Sequence, residues 1–339
     1  MSIESIKRVA VLGAGGWGTA LATHLARLGK EVRLWGRNTT LIAELVKHRR
    51  NTTYLPDVEL PRLVQPTPSL EESLRGASCV VCAVPSHGTR DVLTLAAPFV
   101  QPDALIVSAA KGLEEVTLLR MSEVIEKELG SGRRIAVLSG PSFAIELARE
   151  SPTAVAVAST CDEVVSLVQE EFRSAHLRLY ASNDVIGVEM GGALKNVIAI
   201  AAGVAESLGL GDNARSALIT RGLAEISRLA VGVGGRRDTL AGLSGLGDLV
   251  LTCTGKLSRN RQLGIELGQG RSLTDILAGM HTVAEGVRTT EAAILLGARH
   301  SVELPIAAKM AEVFAGHQDP MTAVEDLMLR RQRAESEAG

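Results

Sequence analysis

Short apolar runs alternate with helical patterns through the first half of the chain. Each run is apolar almost throughout, which is typical of strands that are covered on both faces. Strands that alternate with helices indicate parallel strand–helix–strand units and therefore a doubly wound sheet. The predicted strands are Arg8–Leu12, Glu31–Trp35, Cys79–Val84, Ala104–Ser108, Ile135–Ser139 and Thr153–Ala158. The predicted helices between them are Thr19–Leu28, Leu41–His48, Ser86–Phe99, Leu119–Leu129 and Asp162–Phe172.

The pattern changes after Ser182, where helical periodicity takes over and continues to Leu329. The segment Val185–Gly209 predicts one long helix that is apolar on all sides, and such a helix belongs in the centre of a domain. The fold class is therefore α/β plus all-α, with a Rossmann-type sheet domain over residues 1–182. An all-α domain follows over residues 183–329, and residues 330–339 form a charged tail.

Composition narrows the partners of this chain. Its 339 residues carry a formal net charge of −2, and a nucleic-acid-binding protein needs a basic excess to displace counterions. Aromatic residues make up only 2%, which disfavours platforms that stack bases. We therefore expect a small-molecule partner and no nucleic acid. The apolar helical half also leaves room for a homodimer, although no stripe of residues identifies an interface.

Membrane insertion and export are not expected. The longest stretch without a charged residue, Val9–Ala26, is interrupted by glycines, and no cleavage site follows a basic start. Cys79 and Cys82 have CxxC spacing, but they lie in an apolar run that predicts a buried strand. Without a second ligand pair they do not indicate a metal site, so we expect no metal. Reduced thiols fit a cytoplasmic protein.

A glycine-rich turn lies between the first strand and the first helix. Gly13, Gly15 and Gly18 fit the pattern GxGxxG in the order strand, turn and helix. The first glycine permits a tight turn, the second lets a pyrophosphate approach the backbone, and the third allows close packing of helix on strand. Free N–H groups at the helix N-terminus favour phosphate. The turn predicts a dinucleotide-binding site, the alternative being a simple glycine turn.

The second strand indicates which dinucleotide is bound. An NAD site usually presents a carboxylate to the ribose about 20 residues after the turn, but this strand continues into Gly36, Arg37 and Asn38. A guanidinium at this position can bind a 2′-phosphate through a forked contact. We expect NADP to be preferred, with NAD accepted. The alternative for Arg37 is an ordinary surface arginine.

Lys195 is the one charged residue in the central part of the long apolar helix. On a helix of 3.6 residues per turn, it shares a face with mostly small residues, which leaves room for a ligand or another chain segment. Desolvation lowers the pKa of a lysine amine, so that it can exchange a proton near neutral pH. The alternatives are a lysine that reaches solvent or one in a structural ion pair. The residues on this face are Val188, Gly191, Gly192, Ala199 and Ala202.

Two further groups of residues predict contacts with an anionic substrate. Lys111 follows a predicted strand directly, and the carboxyl ends of parallel strands line the ligand crevice. Ser258, Arg259 and Asn260 stand at the start of a predicted helix, where hydroxyl, guanidinium and backbone N–H groups favour phosphate. A plain N-cap by Ser258 is the alternative reading.

Taken together, the motifs resemble those of the bacterial NAD(P)-dependent sn-glycerol-3-phosphate dehydrogenases, from about Arg8 to Leu329. The matching segments are the glycine turn within Val11–Ala20, Ala83–His87, Lys111-Gly112, Ser139–Ser142, Gly191–Asn196, Gly245–Leu249, Ser258–Arg261 and Ala284–Val287. One departure is Gly16, where many relatives have serine. This change removes a hydroxyl and leaves the backbone of the turn intact.

The resemblance implies reversible hydride transfer between NAD(P)H and dihydroxyacetone phosphate, which gives sn-glycerol 3-phosphate for glycerophospholipid synthesis. Lys195 matches the proton acceptor of the family, and Asp248 is expected to hold its amine. The implied substrate contacts are Lys111, Gly140, Ser142, Lys195, Asp248, Ser258, Arg259 and Asn260. The implied cofactor contacts are Gly13, Gly15, Gly16, Trp17, Gly18, Arg37, Lys111, Ala144, Arg259, Val283 and Glu285.

Two alternatives remain at this point. The first is an NADP-dependent dehydrogenase of another small phosphorylated substrate or hydroxy acid. The second is a non-catalytic NADP-binding protein that senses redox state, although a sensor has no need of Lys195 as a proton donor.

Overall fold

The computed structural model describes residues 6–280 and 285–331, and the chain forms two compact units. The first unit comprises the chain up to Ala110 together with Met121–Val185. The second comprises Lys111–Arg120 and the chain from Ile186 onward. This division differs from the predicted domains 1–182 and 183–329 because Lys111–Arg120, which we call the 111–120 loop, belongs to the helical unit.

An eight-stranded sheet forms the centre of the first unit, in the order β10-β9-β8-β7-β6-β1-β2-β5. Strands β1, β6 and β7 are buried on both faces, as their continuous apolar sequences predict. The sheet strands are β1 (Arg8–Leu12), β2 (Glu31–Trp35), β5 (Val64–Thr67), β6 (Cys79–Cys82), β7 (Leu105–Ser108), β8 (Ile135–Ser139), β9 (Thr153–Ala158) and β10 (Leu177–Ser182), and a separate pair is formed by β3 (Arg50–Asn51) and β4 (Leu55–Glu59).

Seven α-helices connect these strands in the part of the chain that the structure describes. The chain moves from β1 to β2 on one side and returns to β6 on the other, so the direction of winding reverses between β1 and β6. Ligands of such sheets bind at this switch point, beyond the carboxyl ends of the strands. The helices are α1 (Gly16–Arg27), α2 (Thr39–His48), α3 (Leu70–Leu74), α4 (Ser86–Ala96), α5 (Met121–Leu129), α6 (Ala144–Ala148) and α7 (Asp162–Phe172).

The doubly wound sheet is confirmed, but its far edge was predicted incorrectly. Strand β9 pairs antiparallel with β8, whereas a parallel pair was expected. The connection between them contains only the five-residue helix α6. At about 1.5 Å per residue this helix is shorter than the strand it would have to span at about 3.3 Å per residue.

Two edge strands, β5 and β10, were not predicted. Strand β5 contains Pro66, which lacks a backbone N–H and is tolerated at a sheet edge. Strand β10 alternates buried and exposed residues, because one of its faces is open to solvent. A search for continuous apolar runs therefore misses both strands.

The second unit is helical and is organised around α8 (Val185–Ser207), in which all residues from Gly187 to Ala205 are buried. This helix is long and apolar enough to span a membrane, but 89% of its most apolar stretch is buried inside the protein. It packs in a core of aliphatic side chains that fits the near absence of aromatic residues. The other helices are α9 (Gly211–Gly232), α10 (Arg237–Leu240), α11 (Asp248–Thr254), α12 (Arg259–Gly268), α13 (Leu273–Gly279), α14 (Glu285–Arg299), α15 (Pro305–Phe314) and α16 (Pro320–Met328).

Candidate active site

The glycine turn lies at the switch point of the sheet in the first unit. Gly13 has a φ of +118°, and a Cβ at this position would lie 2.6 Å from the carbonyl oxygen of Ala83 at the end of β6. A Cβ on Gly18 would lie only 1.9 Å from the carbonyl oxygen of Gly13. The first and third glycines are therefore required by the tight turn and by the close packing of α1.

Gly15 and Gly16 leave the mouth of the turn open. A Cβ on Gly15 would meet no atom within 4 Å, and one on Gly16 would make only ordinary contacts with Tyr54 and Ala144. Gly15 is also the N-cap of α1, and no side chain caps this helix. The first N–H groups of α1 therefore have no side-chain acceptor at the cap, which fits a bound pyrophosphate.

Trp17 and Ala144 flank this opening. The indole Nε1 of Trp17 is buried and has no hydrogen-bond partner within residues 6–280 and 285–331. A buried indole N–H normally has a partner, so this atom fits a site completed by a ligand or water. Ala144 begins α6 and lies beside Gly16.

Arg37 stands just beyond the carboxyl end of β2, next to β1 in the sheet. Its side chain is exposed, and in the described part of the chain its guanidinium makes no hydrogen bond or ion pair. The neighbouring Asn38 caps α2 through the N–H of Leu41 and so is engaged locally. An exposed guanidinium at this edge fits a 2′-phosphate.

Gly140 and Ser142 follow β8 and also belong to the first unit. Gly140 has a φ of +136°, and a Cβ there would lie 3.1 Å from the Cα of Val155 on β9. The Ser142 hydroxyl donates to the carbonyl oxygen of Gly140 at 2.8 Å. These two residues shape the loop at the carboxyl end of the sheet.

Lys195, Lys111 and Asp248 meet in the second unit. Asp248 is 1% exposed and accepts a hydrogen bond from each lysine. The Lys111 amine is 2.7 Å from Oδ2, and the Lys195 amine bonds to Oδ1. Lys195 also donates to the Thr252 hydroxyl at 2.9 Å. One carboxylate thus serves two amines, and this arrangement excludes the alternative that Lys195 reaches solvent.

Burial gives the Lys195 amine an unusual proton affinity. Desolvation lowers its pKa to about 8, the Asp248 carboxylate opposes that fall, and the nearby Lys111 amine adds to it. An amine with this pKa exchanges a proton near physiological pH, whereas an ordinary lysine does not.

Gly191 explains how Asp248 comes to lie beside Lys195. A Cβ on Gly191 would be 2.4 Å from the carbonyl oxygen of Ser244, so the small-residue face of α8 admits a chain segment. That segment, Leu243–Gly247, forms a single π-helical turn that leads directly into α11 and its first residue, Asp248. Such π turns often mark functional sites.

The predicted phosphate-binding residues open α12. Ser258 is buried and caps the helix through the N–H of Arg261 at 3.2 Å, so the N-cap reading applies to its side chain. Arg259 is exposed. Asn260 donates to the side chain of Asn196 at 3.0 Å and accepts from the N–H of Gly286 at 3.3 Å. Asn260 therefore links α12 and α14 to the helix that carries Lys195.

Four further residues belong to the predicted site or to its surroundings. Glu285 is the first residue of α14, whereas Val283 lies outside the described residues. Asn196 was named only as part of a motif, and its position directly after Lys195 was the available signal. Thr252 had no signal in the sequence beyond its i+4 spacing from Asp248.

Comparisons with known proteins match nearly the whole chain. Residues 8–165 match the model of the NAD-dependent glycerol-3-phosphate dehydrogenase N-terminus, and residues 184–325 match that of the C-terminus. A glycerol-3-phosphate dehydrogenase (NAD(P)+) of Citrifermentans bemidjiense is 49% identical over 97% of this chain and 99% of its own length. A glycerol-3-phosphate dehydrogenase (NAD(P)+) of Acidobacterium capsulatum is 50% identical over 97% of this chain and 100% of its own length.

The chain belongs to the NAD-dependent glycerol-3-phosphate dehydrogenase family. A crystal structure of glycerol-3-phosphate dehydrogenase from Coxiella burnetii has a TM-score of 0.93 with 39% identity and covers 96% of this chain and 99% of its own. These matches confirm the predicted family and the predicted fold class.

Proposed function

We propose that the protein reversibly transfers hydride between NAD(P)H and dihydroxyacetone phosphate, giving sn-glycerol 3-phosphate. The observation that carries the proposal is the buried Lys195 amine, which donates hydrogen bonds to Asp248 and Thr252 of α11. Lys195 is the one charged residue between Met190 and Ala205 on α8. A redox sensor has no use for such a proton donor. The full-length match to glycerol-3-phosphate dehydrogenases selects the substrate.

In this mechanism Lys195 handles the proton of the reaction. As the substrate carbonyl is reduced, its oxygen gains negative charge, and the Lys195 ammonium donates a proton to it. In the oxidation of the alcohol the neutral amine accepts the hydroxyl proton. Asp248 orients the Lys195 amine in the forward and the reverse reaction. Lys111 contributes positive charge that orients the substrate.

The residues of the glycine turn fit a nicotinamide nucleotide, which supplies the hydride when bound. Gly13, Gly15, Gly16 and Gly18 shape the turn for the pyrophosphate, and Arg37 would bind a 2′-phosphate. The further cofactor-binding residues that we assign are Trp17, Lys111, Ala144, Arg259, Val283 and Glu285. The substrate-binding residues are Lys111, Gly140, Ser142, Lys195, Asp248, Ser258, Arg259 and Asn260, with the exposed Arg259 as the phosphate-binding cation.

The direct test is an assay of the purified protein by the absorbance of the reduced nicotinamide. We expect oxidation of NADPH and NADH with dihydroxyacetone phosphate and markedly slower oxidation with dihydroxyacetone, 3-keto acids or other ketose phosphates. A preference for another ketone would reassign the substrate. Tight NADPH binding without turnover of any ketone would favour the sensor.

We further propose a cytoplasmic enzyme that supplies glycerophospholipid synthesis and that forms a homodimer.

The rate of reaction is expected to depend on pH through Lys195. Reduction requires the ammonium, so kcat/KM should be constant below pH 8 and fall above it, because the pKa of Lys195 is lowered to about 8. Oxidation requires the neutral amine, so its kcat/KM should rise through the same pH and level off above it. Initial rates over about pH 6–10 in both directions test this pair of opposite profiles.

A Lys195→Arg variant is the control for the pH profile. Arginine keeps the positive charge but does not release its proton in this range, so the step near pH 8 should vanish. Profiles that rise or fall together in the two directions, or a step that persists in the variant, would exclude Lys195 as the titrating group.

Arg37→Ala should weaken the binding of NADPH much more than that of NADH. Loss of a hydrogen-bonded charge pair to the 2′-phosphate corresponds to about a 10–100-fold increase in Kd for NADPH, with little change for NADH. Titration of each nucleotide against the variant, followed by fluorescence, measures the difference. Arg62→Ala, an exposed arginine before β5 in the same unit, is the matched control. Equal losses for the two nucleotides would remove Arg37 from the 2′-phosphate site.

A further inference from the structure

A buried ion pair joins the 111–120 loop to helix α8. Nη1 of Arg120 donates to Oε2 of Glu189 at 2.6 Å, and the two side chains are only 17% and 5% exposed. Desolvation offsets much of the attraction within such a pair, so it contributes little net stability compared with apolar residues in the same place. A role in fixing the position of the loop explains the pair better.

The backbone of the loop connects this ion pair to Lys111. Leu113 and Arg120 form an antiparallel bridge, and the N–H of Glu114 donates to the carbonyl oxygen of Leu119 at 2.9 Å. The bridge fixes Arg120 opposite a residue that stands two positions after Lys111. The side chains of Leu113 and Leu118 pack into the core of the helical unit. Displacement of Arg120 would therefore move the Lys111 end of the loop.

We propose that Arg120 and Glu189 are positioning residues, whose ion pair holds the 111–120 loop on α8 so that the Lys111 amine stays on Asp248. The carboxylate is the one that Lys195 also uses, so the loop controls how strongly Lys195 holds its proton. This inference rests on the proposed function, because its kinetic consequence is observed in the reaction that Lys195 serves.

The direction of the effect follows from the groups around Lys195. Asp248, Thr252 and Cys253 face it from α11, and Lys111 faces it from the loop. Lys111 shares the carboxylate and repels the second positive charge. When Lys111 withdraws, Lys195 is the one amine that remains on Asp248, and it then holds its proton to a higher pH.

The chain offers a matched control on the same loop. Glu115 pairs with Arg288 of α14 at 2.5 Å, but these side chains are 42% and 46% exposed. An exposed pair contributes about 0–1 kcal/mol and fixes position weakly. Glu115→Gln/Arg288→Gln should therefore leave both readouts described below unchanged.

The test uses the double variant Arg120→Gln/Glu189→Gln, which removes one charge of each sign so that direct electrostatic effects on Lys195 largely cancel. The first readout is the rate at which acetic anhydride acylates Lys111 in the full-length protein, followed by mass spectrometry. The second is the pH profile of kcat/KM for ketone reduction. We expect faster acylation of Lys111 and a shift of the alkaline limb to higher pH by about 0.5 unit, equivalent to about a threefold change in proton affinity. The single variant Arg120→Lys keeps a donor for Glu189. It should therefore show the acylation rate of Lys111 and the pH profile of the unmodified protein.

The outcomes are distinct. Unchanged acylation of Lys111, or faster acylation with an unmoved limb, overturns the proposal and leaves the pair a structural role only. Should the double variant not fold, Glu189→Asp, which keeps both charges but shortens the acid, must give smaller changes in the same directions, and no change overturns the proposal. Absence of activity in the unmodified protein would instead refute the proposed function, whereas the acylation of Lys111 is measured without turnover.

Discussion

Replacement of Lys195 by alanine is expected to reduce kcat for dihydroxyacetone phosphate by about 10²–10⁴-fold, which is the usual contribution of a positioned acid or base. The dinucleotide site is built by the first unit, so the Kd of NADPH should change little. Single-turnover and steady-state rates, together with nucleotide titration, separate the two effects. A variant that retained near-normal turnover would exclude Lys195 from proton transfer.

A second substitution separates chemistry from packing. Lys195→Met keeps most of the volume of the buried side chain and leaves Asp248 with Lys111 as its partner. It should therefore fold at least as well as Lys195→Ala and be equally inactive. Lys309→Met is the matched control, because this lysine lies on α15 in the same unit and makes ion pairs with Glu312 and Asp326. Its turnover should match that of the unmodified protein.

Much of this site could be read from the sequence because the signals are local. The spacing of Gly13 and Gly18 predicts the turn. In the structure a side chain at either position would clash with a backbone carbonyl oxygen. Lys195 was singled out by a face of small residues, and Gly191 on that face proves to be the place where the Ser244 backbone approaches α8. A position that requires glycine can be recognised in the sequence even when the segment that packs against it is unknown.

The parts that could not be predicted depend on contacts between distant segments. Asp248 is 53 residues from Lys195 and 137 from Lys111, so its contact with Lys195 was expected only with the help of the family resemblance, and its contact with Lys111 was not predicted. The transfer of the 111–120 loop to the helical unit has the same origin, since it follows from the burial of Leu113 and Leu118 and from the pairing of Arg120. The orientation of β9 depends on the length of α6, which the sequence does not delimit sharply.

Replacement of Asp248 by asparagine is expected to have the largest effect on stability. It leaves two amines without the carboxylate that both of them use, one of them buried, and breaking a buried pair in this way costs about 3–5 kcal/mol in the free energy of unfolding. Urea unfolding followed by the circular dichroism of the helices measures the change. Asp212→Asn is the matched control, because Asp212 is 86% exposed and its pair with Arg215 contributes at most about 1 kcal/mol.

The same variant should change the pH dependence of stability in a defined direction. In the native protein burial already holds the pKa of Lys195 at about 8, below its value in the unfolded chain, and Asp248 opposes that shift. Without the carboxylate the native pKa falls further, so over a wider range of pH the unfolded chain binds more protons than the native state. Since stability rises with pH wherever this holds, the rise that begins near pH 8 in the unmodified protein should begin at a lower pH in the variant. A rise that begins at the same pH in the two proteins would show that Asp248 does not support the charge on Lys195, and the mechanism would then need another partner for the amine.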